Sequence, residues 1–149
     1  MDTTAQQWLA ESKTDLETAQ LLFNEKHYNA CAFYCQQSGE KALKALLYAL
    51  DERPWGHSLA AFLERLKEIK SAGIDEQLAA CTSSLDKHYT GSRYPDAIGN
   101  IPPSKHYNEE IAQEALKCTH QVLNFVTEQM PSASANDSEE WRQEDTQGA

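Results

Sequence analysis

Apolar residues recur along this chain at steps of three and four, the spacing that lays side chains along one face of an α-helix. Trp8, Leu9, Leu16, Ala19, Leu22 and Phe23 mark a first helix, with Asp2, Thr3 or Thr4 to cap its start. A second runs from about Tyr28 to Leu50 and stops before Arg53-Pro54-Trp55-Gly56, where proline and glycine forbid continuation. Ser58 caps a third, which carries Leu59, Phe62, Leu63, Leu66 and Ile69 and is closed by Gly73. Ile74, Leu78, Cys81, Leu85 and Tyr89 give a fourth. From near Asn108, a fifth shows Ile111, Ala115, Cys118, Val122, Phe125 and Val126. Period-two alternation is absent, so the expected fold class is all-α, an antiparallel bundle of about five helices.

Between the fourth and fifth patterns, Thr90 to His106 holds three of the five prolines and two glycines. A connection of that length in a compact domain is usually functional or disordered, and its Arg93-Tyr94-Pro95-Asp96 favours function. After Met130 the sequence turns poor in apolar residues and rich in negative charge. The chain therefore divides into a domain at 1–130 and a disordered acidic tail at 131–149.

The net charge of −10 argues against a general nucleic-acid binder, because phosphate backbones select cationic surfaces. The tail exaggerates it: residues 1–130 carry 12 basic against 18 acidic residues, a net −6 that still permits a local basic pocket. Cysteines stand at 31, 35, 81 and 118 without a paired C-x-x-C, which predicts reduced, buried thiols in a cytoplasmic protein. No apolar run approaches membrane-spanning length. Neither a metal nor a cofactor is called for, and a glycine-rich phosphate loop is absent.

On a helical wheel of the second helix, Ala32, Cys35, Gly39, Ala42, Leu43, Leu46 and Leu50 form the core face. Gln37, Lys41, Lys44 and Tyr48 form an opposite stripe, with Phe33 and Tyr34 beside it. Aromatics next to a basic pair on an outward face predict either a solvated stripe or a dimer interface at Phe33, Tyr34, Gln37 and Tyr48, with Lys41 and Lys44 lining an anion pocket. Gln36 falls towards the core and is expected to be structural.

Arg93 is the strongest candidate for ligand contact. A guanidinium grips phosphate through parallel hydrogen bonds, Tyr94 offers a ring for stacking, and Asp96 supplies a carboxylate to orient the arginine or accept from a base or ribose. The competing expectation is a plain Arg93–Asp96 loop-anchoring salt bridge. His57, just before the Ser58 cap, is as suited to fixing the turn as to touching ligand.

The helix-two stretch Phe33 to Leu50, the His57-Ser58-Leu59 triplet and the Arg93-Tyr94-Pro95-Asp96 loop together resemble the HEPN family of nucleotide-binding helical domains over roughly residues 4–130. The stretch from Arg93 through Ile101-Pro102 to Cys118-Thr119 looks most like the C-terminal HEPN domain of sacsin. The resemblance implies a homodimer that binds a nucleotide of the GTP or ATP class through Arg93, Tyr94, Asp96, Lys41, Lys44 and His57 without hydrolysing it, as one module of a larger chaperone-linked chain. Ribonucleases of this family use an arginine followed after four to six residues by a histidine. Here twelve residues separate Arg93 from His106 and three separate Arg53 from His57, so enzymatic activity is not expected. Two alternatives stand beside the nucleotide module: a metal-independent ribonuclease using Arg93 and His106, and a ligand-free dimerisation module.

Overall fold

The computed structural model describes residues 3–70 and 73–131. Three long helices and two shorter ones follow the five apolar patterns: α1 (Thr3–Asn24), α2 (Tyr28–Ala49), α3 (Leu59–Ile69), α4 (Glu76–Asp86) and, further on, α7 (Glu109–Gln129). Where a single long loop was expected, the chain instead forms α5 (His88–Gly91), a 3-10 turn (Pro95–Ile98) and α6 (Pro103–His106). All regular elements among the described residues are helical, and no helix there is long and apolar enough to cross a membrane. The expected acidic tail lies outside the described residues.

The starts of the helices are chemically marked. Side-chain oxygens of Ser58, Asp75 and Asn108 accept from the backbone N–H three residues on, at 3.1, 2.8 and 2.9 Å, satisfying donors that have no partner within the helix. Asp86, at the end of α4, makes a second tie. Its carboxylate accepts from the Leu59 and Ala60 amides at 2.7 and 3.1 Å and from the Ser58 hydroxyl at 3.0 Å, so the start of α3 is fastened to the end of α4.

Helix α2 is the axis of the bundle. It packs against α1 along its length, against α7 on another side, and against α3, α4 and α5. Leu43, Leu46, Leu47, Leu59, Leu66, Leu85, Val122 and Val126 fill the centre with less than 2% of their surface exposed. Gly39 lies where α3 and α4 converge, since a Cβ there would stand 2.6 Å from Leu59 Cδ2 and 3.4 Å from Leu85 Cδ1. Between α1 and α2 the small pair Ser12 and Ser38 interlocks: each hydroxyl donates to the other residue's carbonyl at 2.7 Å.

Because α2 is enclosed on more than one side, polar residues enter the interior. Gln36, Ser38, Glu40 and Lys44 are all buried, and no buried side-chain nitrogen or oxygen among the described residues lacks a partner. Satisfaction of that kind is what makes interior polar groups tolerable. Gln36 takes the structural place expected of it, donating to Glu40 at 3.2 Å and to the His57 carbonyl at 3.4 Å.

The cysteines depart from expectation. Cys81 on α4 and Cys118 on α7 form a disulfide, whereas Cys31 and Cys35 remain buried thiols. The helices bring together two residues 37 apart in sequence, a pairing that spacing alone does not reveal.

Candidate functional site

One end of the bundle gathers Arg93, His57 and a group of rings. Helix α5 continues almost directly from α4, so Tyr89 and Arg93 stand four residues apart, about one turn. The Arg93 Nε donates to the Tyr89 carbonyl at 2.8 Å and Nη2 donates to the same oxygen. Its guanidinium carbon lies 4.4 Å from the Phe33 ring centre and 4.9 Å from those of Tyr89 and Tyr94. Three rings around one cation restrict where the group points while sparing its charge, since the ring faces are electron-rich. Nη1 has no protein partner among the described residues, and Arg93 is exposed.

His57 approaches the same tyrosine from the α2–α3 loop. Its imidazole stacks on the Tyr89 ring at 4.7 Å with 18° between the planes. Behind it, Nδ1 lies 3.0 Å from Glu40 Oε1. The pair is asymmetric: Glu40 shows 5% of its side chain to solvent and His57 55%. A carboxylate only accepts, so Nδ1 carries the proton and Nε2 keeps the lone pair on the open side. The second Glu40 oxygen lies 3.4 Å from Lys44 Nζ. Asp86 holds both halves in place, because it fastens the loop that bears His57 to the helix end from which α5 begins.

Other expected site residues go elsewhere. Asp96 sits exposed in the 3-10 turn, and Arg93 makes no ion pair with it among the described residues, so the loop-anchoring salt bridge is replaced by the bonds to the Tyr89 carbonyl. Lys41 reaches Asp15 on α1 at 2.6 Å. Burial drives the Asp15 carboxyl above its usual range, and the Lys41 hydrogen bond opposes that rise. Lys44 is buried beside Glu40, 5.1 Å from the Trp8 ring and 5.6 Å from that of Phe62. The expectation of an anion pocket lined by these two lysines is therefore corrected: each ammonium is consumed by a carboxylate within the bundle.

The aromatic stripe of α2 is likewise occupied within the chain. Tyr48 stacks on Trp8 at 5.8 Å and 28°, and Gln37 donates to Gln36 Oε1 at 2.7 Å. Phe33 carries Arg93 and packs edge-on against the half-buried Tyr34 at 5.5 Å. The stripe faces α1 and the Arg93 cluster, which removes the unpartnered face that motivated a dimer there.

His106 contacts Tyr107 and makes no contact with Arg93 among the described residues. A residue that sequence did not single out, His88, is buried with Nδ1 2.7 Å from the Tyr107 hydroxyl. Burial, with some help from Lys87, lowers its pKa to about 4, and burial raises that of Tyr107 to about 12. Tyr107 O–H is therefore the donor and neutral His88 the acceptor. Glu40 and Tyr89 were also missed as site residues. The Gln36-Glu40-Lys44 series at four-residue steps was the available signal for Glu40, and Tyr89 was read as part of an apolar stripe.

Known proteins with this organisation are similar along most of their length. The HEPN domain model matches residues 5–130. A curated relative, "Putative toxin MJ1304" of Methanocaldococcus jannaschii, is 29% identical over 129 residues, covering 82% of this chain and 85% of the relative. The crystal structure of TT1696 from Thermus thermophilus superposes with a TM-score of 0.81 at 34% identity, covering 86% of this chain and 99% of that one. ST0689, an archaeal HEPN homologue, gives 0.73 at 31% identity, with 87% and 100% covered. The family model and the extent of these structural matches agree, and the chain belongs to the HEPN domain family.

Proposed function

We propose that the chain binds a nucleotide, or another phosphate-bearing ligand of that class, at the Arg93–His57 cluster. The observation that carries this is the shared support of the two groups: Arg93 and His57 both rest on the Tyr89 ring, with a donor edge of Arg93 left open to solvent. The Nη1–Nη2 edge of Arg93 suits two phosphate oxygens, and the surrounding rings lower the entropy cost of holding it ready. Tyr94, 48% exposed, is available to stack on a base. Lys41 and Lys44 play no part in this reading. Membership of a longer, sacsin-like chaperone-linked protein is supported only by the loop resemblance. Calorimetric titration of ATP and GTP into wild type and Arg93→Ala tests the proposal. Affinity lost in the variant supports it, and equal affinity refutes the assignment of Arg93.

A ribonuclease reading is favoured by one specific arrangement, the buried Glu40 carboxylate behind the exposed His57 imidazole. The histidine is presented with Nε2 outward, on the same tyrosine ring that carries an arginine, a combination suited to proton transfer at a phosphodiester. It comes from the α2–α3 loop rather than from residues following Arg93, which is why the linear spacing did not reveal it. A relative bearing the name of a toxin adds support. The check is cleavage of unstructured RNA in chelator: activity abolished by both His57→Ala and Arg93→Ala supports the reading, and an inert wild type eliminates it.

A further inference from the structure

Trp55 is 88% exposed, in the loop that joins α2 to α3. Folding buries little of its large apolar face, so its presence there is not explained by stability. It lines a groove of about 490 Å³ together with Arg53, His57, Phe62 and Arg65. Arg65 is neutralised within the chain by Glu52 and Glu68. Arg53 is exposed and has no ion pair or hydrogen bond to any described residue. Glu52 lines the groove as well, and with Glu68 it outnumbers Arg65, so what the groove offers an anion is the unpaired Arg53 guanidinium rather than a net positive charge. His57 belongs to this groove and also stacks on Tyr89 in the Arg93 cluster, so the two surfaces are continuous.

We propose that Trp55 and Arg53 form a second subsite that takes an unpaired base and its phosphate, and that the ligand is a short single-stranded oligonucleotide running from this groove to Arg93. This rests on the Arg93–His57 reading given above. An exposed indole stacks on any base, because every base has a π face, and a neighbouring arginine tracks the backbone. The strand passes rings and cations in alternation: Trp55 with Arg53, His57 on Tyr89, then Arg93 with Tyr94. A mononucleotide reaches only one end of that series. Duplex is disfavoured by the net charge of −10, whereas a few nucleotides meet only the Arg53 and Arg93 guanidinium groups and the neighbouring rings.

The experiment compares two probes, an end-labelled pentameric oligoadenylate RNA followed by fluorescence anisotropy and ATP followed by calorimetry. Trp55→Ala, on an exposed loop, is expected to weaken the pentamer about ten-fold while leaving ATP affinity and the melting temperature unchanged. Trp55→Phe recovers most of the loss, and Arg53→Ala lowers the salt dependence of pentamer binding. The proposal is overturned if Trp55→Ala leaves the pentamer unaffected, if it weakens both probes equally, or if wild type does not bind the pentamer. It is also overturned if sedimentation shows that Trp55→Ala only dissociates a dimer, since the indole then seats a second copy of the chain. Failure of the Arg93 reading is separately visible, as Arg93→Ala would then change neither probe whatever Trp55 does.

Discussion

Glu40 is shared between two nitrogen groups of opposite situation: one oxygen lies 3.0 Å from the exposed His57 ring and the other 3.4 Å from the buried Lys44 ammonium. Glu40→Gln leaves Lys44 enclosed without its counter-charge and loosens His57. Removing one partner of a buried pair typically costs about 3 kcal/mol. Urea unfolding should show a loss of that order, and Glu40→Gln with Lys44→Met should recover part of it. Equal stability of Glu40→Gln and wild type would deny the pair its structural role.

Arg93→Ala should weaken nucleotide binding roughly ten- to a hundred-fold, the range for a charge-assisted contact worth about 1.5–3 kcal/mol. Arg93→Lys keeps the charge but not the planar fork, and should regain only part. The side chain is exposed, so the melting temperature should move little. A marked fall in melting temperature with unchanged affinity identifies Arg93 as an anchor of the α5 turn through the Tyr89 carbonyl.

Lys41→Met should act on stability rather than on ligand. It strands the buried Asp15, whose carboxyl burial already pushes upward, and a cost of about 3 kcal/mol is expected at neutral pH. Asp15→Asn combined with Lys41→Met should relieve much of it. A loss of nucleotide affinity at full stability would restore the lysine to the binding surface.

His88 gives the fold a pH dependence. Its pKa falls from 6.5 in the unfolded chain to about 4 in the fold, so the unfolded state binds more protons between those values. Stability is complete above pH 6.5 and declines as pH drops towards 4, by up to about 3 kcal/mol. Urea midpoints at pH 7 and pH 4.5 measure the decline. In His88→Gln the slope attributable to this group should vanish.

The Cys81–Cys118 disulfide closes a loop with a sequence separation of 37, worth about 4 kcal/mol on loop-closure entropy. Reductant should therefore lower the melting temperature of wild type by many degrees. Cys81→Ala with Cys118→Ala should melt at the reduced value with or without reductant. Identical melts for oxidised and reduced wild type would contradict the staple.

The bundle was legible because most of its helices bury a single stripe. Leu59, Phe62, Leu63 and Leu66 on α3, and Val122 and Val126 on α7, fall where periodicity put them. Helix α2 was not legible in this way. A wheel with one core face assigns Lys41, Lys44 and Tyr48 to solvent, but a central helix has neighbours on several sides, and α1 covers that stripe. Arg93 and His57 stood out through their loop and turn. What sequence could not supply was the ring between them, because Tyr89 fits an apolar period as well as it fits a stacking role. Pairing of Cys81 with Cys118 was hidden for a related reason: it depends on α4 lying against α7, a contact between separate helices.

Two helices held together by apolar contact alone have several nearly equivalent alignments, each offset by one turn of about 5.4 Å. The reciprocal Ser12–Ser38 exchange has a single offset at which both hydroxyls reach a carbonyl. At that offset Trp8 lands on Tyr48 and Asp15 on Lys41. Two of the smallest side chains in the interface thereby act as a vernier for the first hairpin, selecting among alignments that its larger residues would tolerate.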